Sequence, residues 1–144
     1  MDGAEMKAKT IRFTEECYNK GDLSFMDELF DPNVVTHTPR QDLRGLEAYK
    51  QWAMDLRIDF PDNHIVIHEI IAEGNTVADR WTSSGTFTGP GKVFSVPGTG
   101  KKGVLNGTWF AHFVNGRIVE NWYTYDLLAW LQQIGLMPTP EEKK

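Results

Sequence analysis

This sequence predicts an α+β fold, with helices packed on one face of a curved sheet. Three observations carry the prediction. Helical periodicity dominates the chain up to about Asp59, and strand-like alternation fills most of the remainder. A single amphipathic helical pattern then closes it, from Leu127 to Ile134. A parallel βαβ fold would instead interleave its helices with its strands.

The first helix is expected over about Ala4 to Asn19. Ala8, Ile11 and Tyr18 share a stripe there, Phe13 and Cys17 lie beside it, and Gly21 is placed to stop it. Asp22 is a good N-cap for a short helix carrying Phe25, Met26, Leu29 and Phe30. Asp31-Pro32-Asn33 breaks that helix, and Val34 to Thr38 reads as extended. Gly45 to about Asp59 predicts the next helix, with Leu46, Tyr49, Trp52, Ala53 and Leu56 along one face, and Phe60-Pro61-Asp62 ends it.

Strands are then expected at Ile65 to Ala72 and Thr76 to Thr88, joined by Gly74-Asn75. Gly89 to Gly100 is a Gly/Pro-rich loop at a long hairpin tip. Lys102 to Val114 is a strand, and Asn115-Gly116 is the strongest hairpin signal in the chain. The last strand runs to Asp126 and straight into the final helix. Residues 1–137 read as one domain and residues 138–144 as a polar, frayed tail.

The chain has 144 residues, 40% of them hydrophobic and 12% aromatic, which suffices for a sizeable core and for lining a cavity as well. Its net charge of −5, with acids and bases interspersed, argues against a nucleic-acid partner. The one cysteine, Cys17, excludes an intrachain disulfide and a multi-thiolate metal site, and reads as a small buried residue. The N-terminus lacks a signal-like apolar region, and no run approaches the ~20 residues that span a bilayer. A cytoplasmic, reducing location away from membranes is the expectation. His64 and His68 would stand roughly 13 Å apart on one strand face, too far to share an ion, so no metal site is expected.

Chemistry points first to the last strand. Counted at period two, Ile118, Glu120, Trp122, Thr124 and Asp126 share one face. A carboxylate held against Trp122 in an apolar pocket would have a raised pKa and could act as a general acid or base. The competing reading makes Asp126 the N-cap of the final helix, where backbone N–H groups lower its pKa. His37 either faces inward as a neighbour of Asp126 or is a hydrogen-bonded structural residue. His112 shares a face with Thr108, Phe110 and Val114, as a second pocket histidine or an exposed one. Arg80 either awaits a ligand oxygen or pairs with Asp79 or Glu120. Tyr18, Tyr49, Trp52, Phe60, Trp81, Phe87, Trp109 and Trp122 are the aromatic stock for a pocket wall, with Trp52 and Trp122 foremost. Trp130 reads as a packing or dimer residue.

Several short signatures recur here in one order. They are Tyr18-Asn19-Lys20-Gly21-Asp22, Asp31-Pro32 with His37, Arg44-Gly45-Leu46-Glu47-Ala48-Tyr49, Phe60-Pro61-Asp62, and Val77-Ala78-Asp79-Arg80-Trp81. Gly85-Thr86-Phe87-Thr88-Gly89, Gly116 to Trp122, and Asp126 with Gln133-Ile134-Gly135 follow. Together they resemble the SnoaL-like polyketide cyclase family of the nuclear transport factor 2-like superfamily, over roughly residues 8 to 136. The resemblance implies a conical barrel: a strongly curved antiparallel sheet around N-terminal helices, a pocket open at one end, and commonly a homodimer. It implies aldol cyclisation without metal or organic cofactor. Asp126 matches the family's acid/base carboxylate and His37 its pocket histidine. In one place the chain departs: Phe87 stands where the family has histidine.

The function expected is cofactor-independent acid/base chemistry on a carbonyl or polyketide-like compound, by cyclisation or isomerisation, with an apolar or aromatic small molecule as partner. A non-catalytic binding protein with the same pocket is the alternative, favoured by the loss of histidine at Phe87. Epoxide hydrolysis is weaker. Its Asp-Arg-Asp constellation would need Asp79, Arg80 and Asp126, yet adjacent strand residues face opposite ways.

Overall fold

The structure is a computed structural model describing residues 1–140; residues 141–144 of the expected tail lie outside the described residues. Helix α1 (Gly3–Phe13) starts at Asp2, whose side chain accepts the Glu5 N–H at 2.8 Å. It does not stay α-helical to Asn19 as the periodicity predicts. From Thr14 to Asn19 it continues as a π-helix, a wider turn that re-aims the residues it carries. Asn19 explains part of this. Its side chain accepts from the Ile65 N–H at 2.7 Å and donates to the Ile65 carbonyl at 2.9 Å, pairing with a strand as another strand would.

Helix α2 (Met26–Leu29) follows, then strand β1 (Phe30–His37). β1 begins earlier than expected because Asp31, Pro32 and Asn33 are absorbed as an irregularity between Phe30 and Val35. A short β2 (Asp42–Arg44) was not legible in the sequence. Helix α3 spans Leu46–Asp59, and the remaining elements are β3 (His64–Glu73), β4 (Thr76–Thr86), β5 (Lys102–Val114), β6 (Arg117–Tyr125) and α4 (Leu127–Gln133). Asn115 and Gly116 turn β5 into β6 with φ of 51° and 81°, the positive pair that a tight hairpin needs.

Six strands form one sheet in the order β2-β1-β6-β5-β4-β3. The resemblance implies an antiparallel sheet; the β1–β6 ladder is parallel, and the other four are antiparallel. The helices cover one face, and the core lies between. It includes Met6, Phe13, Phe30, Tyr49, Trp109 and Ile118.

Two bulges decide which side chains reach that interior. In β6, Phe113 pairs with Ile118 but His112 pairs with Glu120, so Val119 is an extra residue. Ile118 is buried, and beyond the bulge the inward set becomes Asn121, Tyr123 and Tyr125. In β3, Ile67 pairs with Trp81 and Glu69 with Arg80, so His68 is the extra residue there.

Candidate functional site

Inside the curved sheet lies a cavity that opens to solvent. Its wall is mainly aromatic. Tyr18 comes from the π-helical turn, Trp52 from α3, Trp81 from β4, Trp109 from β5, Tyr123 and Tyr125 from β6, and Trp130 from α4. Gly107 makes room for this wall. A Cβ there would overlap the Trp81 indole and come within 2.6 Å of the Thr124 carbonyl.

Among the described residues one carboxylate lines this cavity, and it is Asp79. β4 alternates, so Val77, Asp79 and Trp81 point inward while Arg80 points out. Asp79 is 7% exposed, and its Oδ1 has no hydrogen-bond partner among the described residues. Burial without a compensating cation pushes its pKa from 3.8 up to about 7. The Trp81 indole N–H, equally buried on the same wall, also lacks a partner. Among the described residues, this wall thus buries one acceptor and one donor without a partner, and each is costly to leave so.

A chain of hydroxyls lies beside them. Tyr18 Oη and Tyr123 Oη are 2.7 Å apart, and Tyr123 is hydrogen-bonded in turn to Tyr49 Oη. Burial holds all three phenols well above their ordinary range, so they stay protonated. A separate chain fixes the β1–β6–β5 seam. The Trp109 N–H donates to Asn121 Oδ1 at 3.1 Å, and Asn121 Nδ2 donates to Thr36 Oγ1 at 2.9 Å. It leaves these buried polar groups satisfied and the Trp109 ring held in the wall.

The residues singled out in the sequence separate into two groups. Tyr18, Trp52, Phe60 and Trp109 line the cavity. Phe87 is fully buried one layer behind, stacked on Phe60 at 5.2 Å, so its replacement of histidine falls outside the lining. Asp126, expected beneath Trp122 at the pocket floor, is exposed and off the cavity wall. It caps α4, its Oδ1 accepting the Ala129 N–H at 2.9 Å. The bulge at Val119 reversed the phase on which that expectation rested.

The same reversal puts Trp122 on the sheet's other face. There His37 stacks on it at 5.5 Å and His112 packs edge-on at 4.7 Å. His37 sits between two carboxylates, Asp42 at 2.7 Å and Glu120 at 2.6 Å, and these hydrogen bonds raise its pKa, with Glu120 the larger cause. Arg80 is outward and paired with Glu69 at 2.7 Å. Asp79, Arg80 and Asp126 therefore do not converge on a water.

Sequence reasoning missed Asp79, Tyr123, Tyr125 and Trp130 as lining residues; Trp81, in the aromatic stock, does line the cavity. For Asp79 a signal existed: it stands two residues from Val77 and two from Trp81, an acid on an otherwise apolar strand face. At the far end, buried Asp59 accepts the N–H groups of Gly91 and Val93 at 3.0 and 2.7 Å, and this fixes the Gly/Pro-rich loop. Phe94 of that loop packs against Trp130 at 5.1 Å. Among the described residues no group of three or more His, Cys, Asp or Glu is placed to hold a metal ion, and no helix is long and apolar enough to cross a membrane.

The cone is shared with solved structures. IdmH from Streptomyces antibioticus, a candidate polyketide cyclase, is similar at 27% identity, with a TM-score of 0.73 over 90% of this chain and 98% of that one. AclR from Streptomyces galilaeus, a candidate hydroxylase, is similar at 26% identity, with a TM-score of 0.79 over 94% of this chain and 84% of that one. TsrD from Streptomyces laurentii, at 23% identity, shows the same fold with a TM-score of 0.83 over 95% of this chain and 99% of that one. No curated protein matches the chain. The model of one family, SnoaL-like polyketide cyclase, matches residues 8–134, and the chain belongs to that family.

Proposed function

We propose that this protein is a small-molecule enzyme that moves a proton at the carbon beside a carbonyl group, with Asp79 as the base. The observation that supports this is the Asp79 carboxyl: buried on the cavity wall, without a partner on Oδ1 among the described residues, and pushed up to about 7. A carboxylate of that kind is half ionised near neutral pH, where a general base works best. Asp79 takes the α-proton, the C–H electron pair passes into the enolate, and the carboxylic acid later returns the proton. In an aldol closure the enolate carbon bonds a second carbonyl carbon of the same molecule, and the resulting alkoxide takes up the proton. The aromatic wall suits an apolar or aromatic substrate.

The test is α-proton exchange of 2-tetralone in D₂O, followed by NMR. The wild type accelerates exchange, with a rate that rises as Asp79 ionises through about pH 7. Asp79→Asn abolishes the acceleration, whereas an Asp79→Asn protein exchanging at the wild-type rate would remove Asp79 from the chemistry.

A homodimer through the outward sheet face is part of the same proposal. Phe110 and Val114 are about half exposed there, 47% and 51%, beside Trp122. Sedimentation of the wild type and of Phe110→Glu tests it; identical monomers in both would reject it.

A further inference from the structure

Near the end of β6 a cation stands beside the cavity wall without an anion. Arg40 is exposed in the turn between β1 and β2 and makes no ion pair among the described residues. Two contacts fix its guanidinium. Nη1 donates to the Val93 carbonyl at 3.0 Å, and the group lies over the Phe94 ring, 4.6 Å from its centroid. Phe94 packs edge-on against Trp130 at 5.1 Å, and Trp130 edge-on against Tyr125 at 5.8 Å. Trp130 and Tyr125 line the cavity, so Arg40 is one aromatic layer from the ligand space. Its remaining N–H groups have no protein partner among the described residues.

Tyr125 is the last residue of β6 and is half-buried. Its hydroxyl also has no hydrogen-bond partner among the described residues. Burial pushes this phenol up to about 12, and the charge of Arg40 pulls the other way, so at neutral pH it remains an O–H donor. Trp81 at 6.2 Å and Trp130 hold its ring on the wall. A hydroxyl donor beside a cation without a counter-ion suits an anion rich in acceptor oxygens. Carboxylate fits best, because the planar guanidinium matches its two oxygens.

The register sets how far this pair lies from Asp79. Asp79 pairs with Trp109 and Trp109 with Tyr123, so Tyr125 stands two strands across and two residues along from Asp79. At about 4.8 Å per strand and 3.3 Å per residue, roughly 12 Å separates the two Cα atoms. An aromatic ring system fills that span.

We propose that Tyr125 and Arg40 form a carboxylate-binding subsite, and that the ligand is an aromatic keto acid with its carbonyl end at Asp79 and its carboxylate at Arg40. The position of the carbonyl rests on the acid–base reading above; the carboxylate subsite does not. Charge orients the molecule. Arg40 attracts the anionic end, and the ionised Asp79 repels it, so the carbonyl end is the one that meets the base.

The test uses 6-fluoro-2-naphthoate and its methyl ester at pH 8 and low salt, each titrated by fluorine NMR. An apolar wall alone prefers the ester, because burying a carboxylate is costly. The wild type instead binds the acid more tightly, and about 0.5 M salt removes the preference, since the charge of an exposed arginine is screened. Arg40→Gln weakens the acid by about fivefold to tenfold, a charged hydrogen bond discounted for solvent, and leaves the ester within about twofold. Arg40→Lys keeps part of the preference, having the charge without the fork. Tyr125→Phe weakens the acid by about threefold to tenfold and the ester less. A purely structural Arg40, holding only Val93 and Phe94, would cost the acid and the ester alike.

Asp79→Asn keeps the preference for the acid while abolishing 2-tetralone exchange, so failure of the base and failure of the subsite are told apart. Should Arg40→Gln not fold, the salt dependence of the wild type and the acid-to-ester ratio of Tyr125→Phe decide the matter. The proposal is overturned if the wild type does not bind the acid at millimolar concentration, binds it no more tightly than the ester, or keeps the preference undiminished at high salt. It is also overturned if Arg40→Gln weakens both ligands by the same factor, or weakens neither.

Discussion

A carboxyl buried without a cation costs the fold stability whenever it ionises, and Asp79 makes that cost measurable. Its pKa lies near 3.8 in the unfolded chain and at about 7 in the fold. At 1.36 kcal/mol per tenfold change in proton affinity, the ionised folded form is penalised by up to about 4 kcal/mol. Asp79 is only 7% exposed, so little of this is screened by solvent. Water reaching the open cavity reduces it, and about 2–4 kcal/mol is the working range.

The sign follows from proton binding. Between pH 4 and 7 the folded state holds a proton that the unfolded state has released, so stability falls as pH rises. Below the unfolded value the penalty is absent, and above about 7 it is complete. Asp79→Asn removes the titration. Whatever constant cost the amide brings, the difference in stability between variant and wild type must grow by about 2–4 kcal/mol from pH 4 to pH 8 in favour of the variant. For a chain of this size that is a relative gain of roughly 6–12 °C in melting temperature. Urea unfolding at several pH values, followed by tryptophan fluorescence, reads it directly. A difference that stays flat across this pH range would mean that Asp79 ionises as a solvated acid does, and its case as a base would fall.

Asp126→Ala removes the cap of α4 and lowers stability by about 1 kcal/mol in chemical denaturation, while 2-tetralone exchange stays at the wild-type rate. Gly107→Ala drives a methyl into the Trp81 indole and the Thr124 carbonyl, and costs about 1–3 kcal/mol in chemical denaturation. His37→Gln destabilises the protein at low pH only. The raised imidazole pKa contributes stability that is fully present below the ordinary histidine range and is lost as pH rises through the folded value, so the two melting curves converge in alkaline buffer.

The fold was legible because each strand and helix carries its own period, and the chain order of those periods already implies α+β packing. The Asn115-Gly116 turn and the α3 face around Tyr49 and Trp52 are written locally, and the structure has them where the residues put them. β2 was illegible because three residues held by pairing of Val35, Thr36 and His37 with Arg44, Leu43 and Asp42 have no period of their own. The parallel β1–β6 ladder is a tertiary choice between strands far apart in the chain, and no local pattern records it.

The inward face of β6 was misread for one physical reason. A period-two count is right only while the ladder is unbroken, and one inserted residue turns every later side chain over. Val119 is that residue, and it exchanged the set Trp122–Thr124–Asp126 for Asn121–Tyr123–Tyr125. The acid beside the tryptophan then belonged to the solvent and the helix cap, and the phenol chain took the interior. β4 has no such break: its ladder to β5 runs without a shift from Thr76 to Thr86. Alternation there could be trusted from end to end, and it puts Asp79 between Val77 and Trp81 on the buried face. An acid embedded in apolar alternation on an unbroken strand is thus a stronger sign of a functional carboxylate than an acid at a strand–helix junction, where capping already accounts for the residue.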